Sequence, residues 1–94
     1  MAWTVSESEW TYGIMGAAHP SDYAGPDYSR PRVRVIVSEG LRERAAELRK
    51  QGKTTRARRL TWLAGQVGHG IPGSKRVVAA LDADIRVVKG RLVQ

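Results

Sequence analysis

Ninety-four residues with 16 Lys+Arg against 9 Asp+Glu give a net charge of +7 and allow one small domain with tails. Such a chain buries only about 60–65% of its unfolded surface, so partner contacts matter to its stability. With no cysteine, disulfides, thiolate metal sites and thiol nucleophiles are excluded, and no apolar run reaches the ~18 residues of a membrane span.

Met1 to Glu7 lacks the basic start and apolar stretch of a signal peptide, so a cytoplasmic location, or an assembly built there, is expected. The chain holds 12 Arg to 4 Lys, 11 Ala and 10 Gly, with no Asn and no Phe. Coding by a GC-rich genome, a phage's among them, explains part of that arginine excess. The charge therefore has to be judged by where it sits. Residues 1–29 carry four acidic residues and no Lys or Arg, for −4. Residues 30–60 carry eleven basic and three acidic residues, for +8, and residues 61–94 five and two, for +3. An acidic arm thus joins a basic body.

Residues 1–29 form an extended, acidic, aromatic-rich arm in this reading. Trp3 to Tyr12 suits a short strand, and Gly13, Gly16, Pro20, Gly25, Pro26 and Pro31 mark extended chain and turns. The arm either packs over its own core or reaches a neighbouring subunit, with Trp3, Trp10, Tyr12, Tyr23 and Tyr28 as anchors. Its acidic sign suits docking on the basic body, in cis or in trans.

The body, 30–94, reads as a small basic domain with a strand-helix-helix core. Arg32-Val-Arg-Val-Ile-Val37 alternates, with Val33, Val35 and Val37 on one face, and predicts a strand over 32–37. Ser38 offers an N-cap to a helix over 39–51, in which Leu41, Ala45 and Leu48 recur and Gly52 closes the end. Thr54 or Thr55 caps a second helix over 55–67, striped by Ala57, Leu60, Leu63, Ala64 and Val67. A third helix over 75–89 follows from Ser74 and the Val77, Val78, Leu81, Ile85, Val88 spacing, against a β-hairpin turning at Lys89-Gly90. The expected class is mainly α with a short β-strand (α+β).

No catalytic constellation is present, and the chain is read as a non-enzyme with no metal, cofactor or small-molecule substrate. His19 and His69 lie 50 residues apart in no metal-binding spacing. Asp82 and Asp84 point to different faces of a helix, so they make no acid–base pair. Gly52-Lys-Thr-Thr55 imitates the end of a phosphate-binding loop, but the earlier glycine that motif needs falls at Glu47.

The basic segment says more. Arg32 and Arg34 share the strand face opposite the valines, with Arg30 just upstream in line, and the second helix opens with Arg56, Arg58 and Arg59. Cations there oppose the helix dipole at about 0.3–1 kcal/mol each. Either exposed arginines tolerate that penalty, or an anion bound at Thr54 reverses its sign. Arg32-Val-Arg-Val-Ile-Val37, Ser38-Glu-Gly-Leu41 and Gly52-Lys-Thr-Thr55 give residues 30–67 a pattern that resembles the ribbon-helix-helix family of DNA-binding repressors and antitoxins. The resemblance implies a dimer whose paired strands enter the major groove. It implies that Arg32, Arg34 and Ile36 face the bases and that Thr54 and Thr55 meet a backbone phosphate. Arg58 and Arg59 stand where that family carries large apolar residues, and residues 1–29 and 70–94 have no counterpart in its minimal fold.

Three functions follow as expectations. The first is a dimeric DNA-binding regulator using Arg30, Arg32, Arg34, Lys53, Thr54, Thr55, Arg56 and Arg59. The second is a structural subunit of a phage virion or other nucleoprotein assembly, its arm contacting neighbours. The third is an inhibitor that binds a host protein.

Overall fold

The computed structural model describes residues 3–14, 31–71 and 74–94, the side chains of residues 12 and 13 excepted. The described chain is helical: α1 Glu7–Ile14, α2 Pro31–Lys50, α3 Thr54–Gly68, α4 Lys75–Ala80 and α5 Asp82–Leu92. The fold class is therefore all-α, and the expected strand-helix-helix core is corrected.

Residues 32–37 form the first turns of α2 rather than a strand. Pro31 sits where a helix needs no N–H. Val33, Ile36, Val37, Gly40 and Leu41 recur at three- and four-residue steps, and all are buried. They continue into Ala45 and Leu48 as one stripe, which α3 covers with Ala57, Leu60, Leu63, Ala64 and Val67. Val35, counted among the strand's inward valines, is 48% exposed. The helical register buries one stripe from Val33 to Leu48, along more than four turns; the strand register would need a second strand to pair with.

Ser38 is consequently not an N-cap. It lies inside α2, buried, and donates its hydroxyl to the Ala64 carbonyl at 2.9 Å, tying α2 to α3. Gly68 permits the approach, since a Cβ there would stand 3.3 Å from Ser38 Oγ.

The segment 3–14 is not extended, and the strand expected over Trp3 to Tyr12 is corrected too. Ser6 and Glu9 form a capping box: Ser6 N–H donates to Glu9 Oε1 (2.9 Å) and Glu9 N–H to Ser6 Oγ (3.2 Å). Val5, Trp10 and Ile14 are buried in the common core, so this part of the arm packs in cis. Val5 also forms an isolated parallel bridge with Val93, its N–H donating to the Leu92 carbonyl at 2.9 Å. The arm's acidity meets the body's basic charge as expected for docking in cis, through Glu7 to Lys89 (2.6 Å) and Glu9 to Arg32 (3.4 Å).

Residues 75–92 are helical, as one of the two sequence readings had it, but Leu81 breaks them into α4 and α5. Ser74 caps α4 by accepting from the Val77 N–H at 3.3 Å. Leu81, Ile85 and Val88 all reach the core. Where α5 crosses α2, a Cβ on Gly40 would stand 2.7 Å from Leu92 Cδ1 and 3.0 Å from Val88 Cγ1, so any side chain there displaces the tip of Leu92.

Candidate nucleic-acid interface

Between Glu47 and Asp82 the chain carries eight basic residues and no acidic one. The fold gathers four of them at the tip of the α2–α3 hairpin: Arg49, Lys50, Lys53 and Arg58. Arg49 and Lys50 occupy the last turn of α2, where a helix dipole favours cations. A left-handed Gly52 (φ 78°) then turns the chain. Gly52 N–H donates to the Arg49 carbonyl (3.0 Å) and Lys53 N–H to that of Leu48 (2.9 Å), the Schellman pattern of a glycine stop.

Lys53, not Thr54 or Thr55, is the N-cap of α3, and no side chain caps the helix. The first three N–H groups of α3, on Thr54, Thr55 and Arg56, therefore lack intrahelical acceptors. Arg49, Thr54, Arg58 and Thr61 line a shallow pocket of about 290 Å³ beside them. Arg49 Nη2 donates to Thr61 Oγ1 at 2.8 Å, fixing its guanidinium along one wall. Among the described residues no carboxylate lies within ion-pair distance of Arg49, Lys50, Lys53 or Arg58. Helix dipole, free N–H groups and cations here all attract an anion.

The other expected contact residues are dispersed. On a helix, Arg32 and Arg34 no longer share a face. Arg32 donates to the Thr4 carbonyl at 2.6 Å and pairs with Glu9. Arg34 lies over the loop after α3, where a Cβ on Gly70 would come within 2.8 Å of its Nη1. With no strand over 32–37 there is no ribbon to enter a major groove. Arg59 lies apart from the tip pocket, with Trp62 and Arg76. Trp3 is 64% exposed, whereas Trp10 is a core residue. Arg30, Tyr23 and Tyr28 lie outside the described residues, as does the side chain of Tyr12.

Arg56 is committed to the fold. Its Nη2 donates to Asp84 Oδ1 (2.8 Å) and Oδ2 (2.9 Å), and its Nε to Oδ2 (3.1 Å). Asp84 is only 2% exposed and also accepts from Arg44 Nε at 3.1 Å. Arg44 continues to Glu47 (2.9 Å), which accepts two bonds from Arg91 (2.7 and 3.0 Å). Those partners, Arg91 first and Arg44 second, hold the Glu47 carboxyl down at about 2. The same hydrogen bonds to Glu47 raise Arg44 and Arg91 above the ordinary guanidinium value. This chain of charges clamps α5 onto the hairpin and so positions the tip from behind.

Sequence reasoning passed over this clamp because Asp84 was weighed only against Asp82. The signal available was Asp84 itself, on the same face as Ile85 and Val88, a carboxylate in an apolar stripe that needs a cation. Arg49, Lys50 and Arg58 are not among the expected contact residues, because a ribbon would place the DNA contact at 30–37. Among the described residues no group of His, Asp and Glu could hold a metal ion, and no helix is long and apolar enough to cross a membrane. Comparison with protein-family models, with curated proteins and with solved structures gave no match.

Proposed function

We propose that this chain is a small nucleic-acid-binding protein that grips the phosphate backbone of duplex DNA with the tip of the α2–α3 hairpin. The observation that carries the reading is the acid-free cluster of Arg49, Lys50, Lys53 and Arg58 around the uncapped start of α3. Lys50 and Lys53 supply mobile point charges; Arg49 and Arg58, beside Thr54 and Thr61, suit the oxygens of one phosphate. Such contacts position a protein on DNA and carry no sequence information. The binding is accordingly sequence-tolerant, in contrast to the base readout that a ribbon would give.

Anisotropy of labelled duplexes of unrelated sequence tests this. Lys53→Glu with Arg58→Glu, both on exposed side chains, is expected to weaken binding of every duplex alike, with unchanged far-UV circular dichroism. Arg32→Ala is expected to leave binding unchanged, since its guanidinium is held by Thr4 and Glu9. Binding indifferent to the tip reversal would refute the reading.

A structural role in a nucleoprotein assembly is the second reading, favoured by the exposed Trp3 and Trp62 on two separate apolar surfaces.

A further inference from the structure

Two surface depressions outside the hairpin tip each carry an exposed tryptophan, and their rims have opposite charge. One is a groove of about 450 Å³ between α2 and the end of α5. Trp3, Val35, Gly40 and Leu92 make its apolar walls, and Glu39 and Glu43 its rim. The other, about 370 Å³, lies between α3 and α4, with Trp62, Val77 and Ala80 as walls and Arg59 and Arg76 as rim. Trp3 (64%) and Trp62 (52%) are the two exposed tryptophans among the described residues. Glu39, Arg59 and Arg76 are exposed and form no ion pair among the described residues; Glu43, also exposed, forms no ion pair but feels the charge of Arg91.

We infer that the acidic groove of one copy receives the basic patch of a second copy, head to tail. Each face brings an aromatic anchor of the kind that dominates interface energetics, and the pair of exposed rim charges on one is opposite in sign to the pair on the other. The two faces share no residue, so one copy can use both at once. A contact between two different faces does not close on itself at two subunits, and it builds a ring or an open chain. The area around each depression is small, which places the contact at the weak end of specific interfaces. The inference is independent of the DNA reading, because neither face includes Arg49, Lys50, Lys53 or Arg58.

Sedimentation velocity without nucleic acid, from micromolar to about 1 mM protein, is the test. The unaltered chain is expected to show average mass rising with concentration beyond a dimer. A groove variant, Glu39→Arg with Glu43→Arg, and a patch variant, Arg59→Glu with Arg76→Glu, are each expected to stay monomeric. Both leave exposed, unpaired positions changed, and circular dichroism checks their folds. Mixed, they are expected to co-assemble beyond a dimer as an alternating ring or open chain, since the altered groove of one meets the altered patch of the other and the two unaltered faces meet as well. The four-fold variant carrying all changes is expected to regain the assembly of the unaltered chain. A monomer at about 1 mM, or self-association of either single-face variant as strong as that of the unaltered chain, would overturn the inference. So would failure of the mixture to associate.

Discussion

Replacing Asp84 with alanine removes the acceptor of two guanidinium groups at once. Its carboxylate is 2% exposed and takes four hydrogen bonds of 2.8–3.1 Å from Arg56 and Arg44. Breaking a buried ion pair by deleting one partner costs about 3–5 kcal/mol. Here the discount is real, because the Arg56 side chain is 40% exposed and Arg44, at 16%, keeps Glu47. Both stranded cations retain water or a partner, and the expected loss falls to about 2–3 kcal/mol. At about 4–8 °C per kcal/mol for a domain of this size, Tm drops by about 8–24 °C. Arg56→Ala leaves Asp84 with Arg44 and is expected to cost less, about 1–2 kcal/mol. Urea denaturation of both variants and of the double variant completes a cycle whose coupling should reach at least about 1 kcal/mol, with an unchanged m-value. An Asp84→Ala loss under about 0.5 kcal/mol, or strict additivity, would refute the clamp.

Acidity probes the other half of that network. Glu47 titrates near 2 in the fold against an ordinary 4.5, so its contribution is complete above 4.5 and disappears as pH falls through 2. The stability gap between the unaltered chain and Glu47→Gln should therefore be widest near neutrality and should close toward pH 2, measured by urea titration at each pH. Gly40→Val is expected to cost about 1–3 kcal/mol by overpacking against Val88 and Leu92. Gly40→Ala is expected near neutrality, as its helix-propensity gain of about 1 kcal/mol offsets displacement of the flexible Leu92 tip. Thermal melts of the two separate these outcomes. Gly52→Ala places a side chain at φ 78° and should lower stability by about 1–2 kcal/mol, although nothing lies near its Cβ.

Much of the helical core was legible because its apolar stripes are periodic. Leu41, Ala45 and Leu48, then Ala57 through Val67, are buried where the spacing placed them, and Gly52 turns the chain where it was expected. The start of α2 was misread for a definite reason. Val33, Val35 and Val37 satisfy a period of two, while Val33, Ile36 and Val37 satisfy three and four, and β-branched residues favour the first reading. Only the continuation of the stripe through Gly40 into Leu41 decides for helix, and it comes from α3 packing along the whole length. Segment 3–14 was misread because the aromatic content outweighed a capping box written in plain view as Ser6-Glu-Ser-Glu9. For the candidate site, the position of Lys53, Thr54 and Thr55 at the start of α3 was legible, since they follow a recognisable helix stop, although neither threonine is the cap. That Arg56 turns inward to Asp84 was not legible, because the pair is 28 residues apart and depends on where α5 lands.

The salt dependence of duplex binding tests the central claim most directly. Four tip cations, Arg49, Lys50, Lys53 and Arg58, predict release of about four counterions, so log K should fall against log salt with a slope of about −3.6. Affinity then drops by about 10²-fold between 50 and 200 mM salt, equally for unrelated sequences. With Lys53→Glu and Arg58→Glu the slope should flatten by about two phosphates' worth, to about −1.8 or shallower. A slope near zero, or one that the tip reversal leaves unchanged, would contradict phosphate binding by this hairpin.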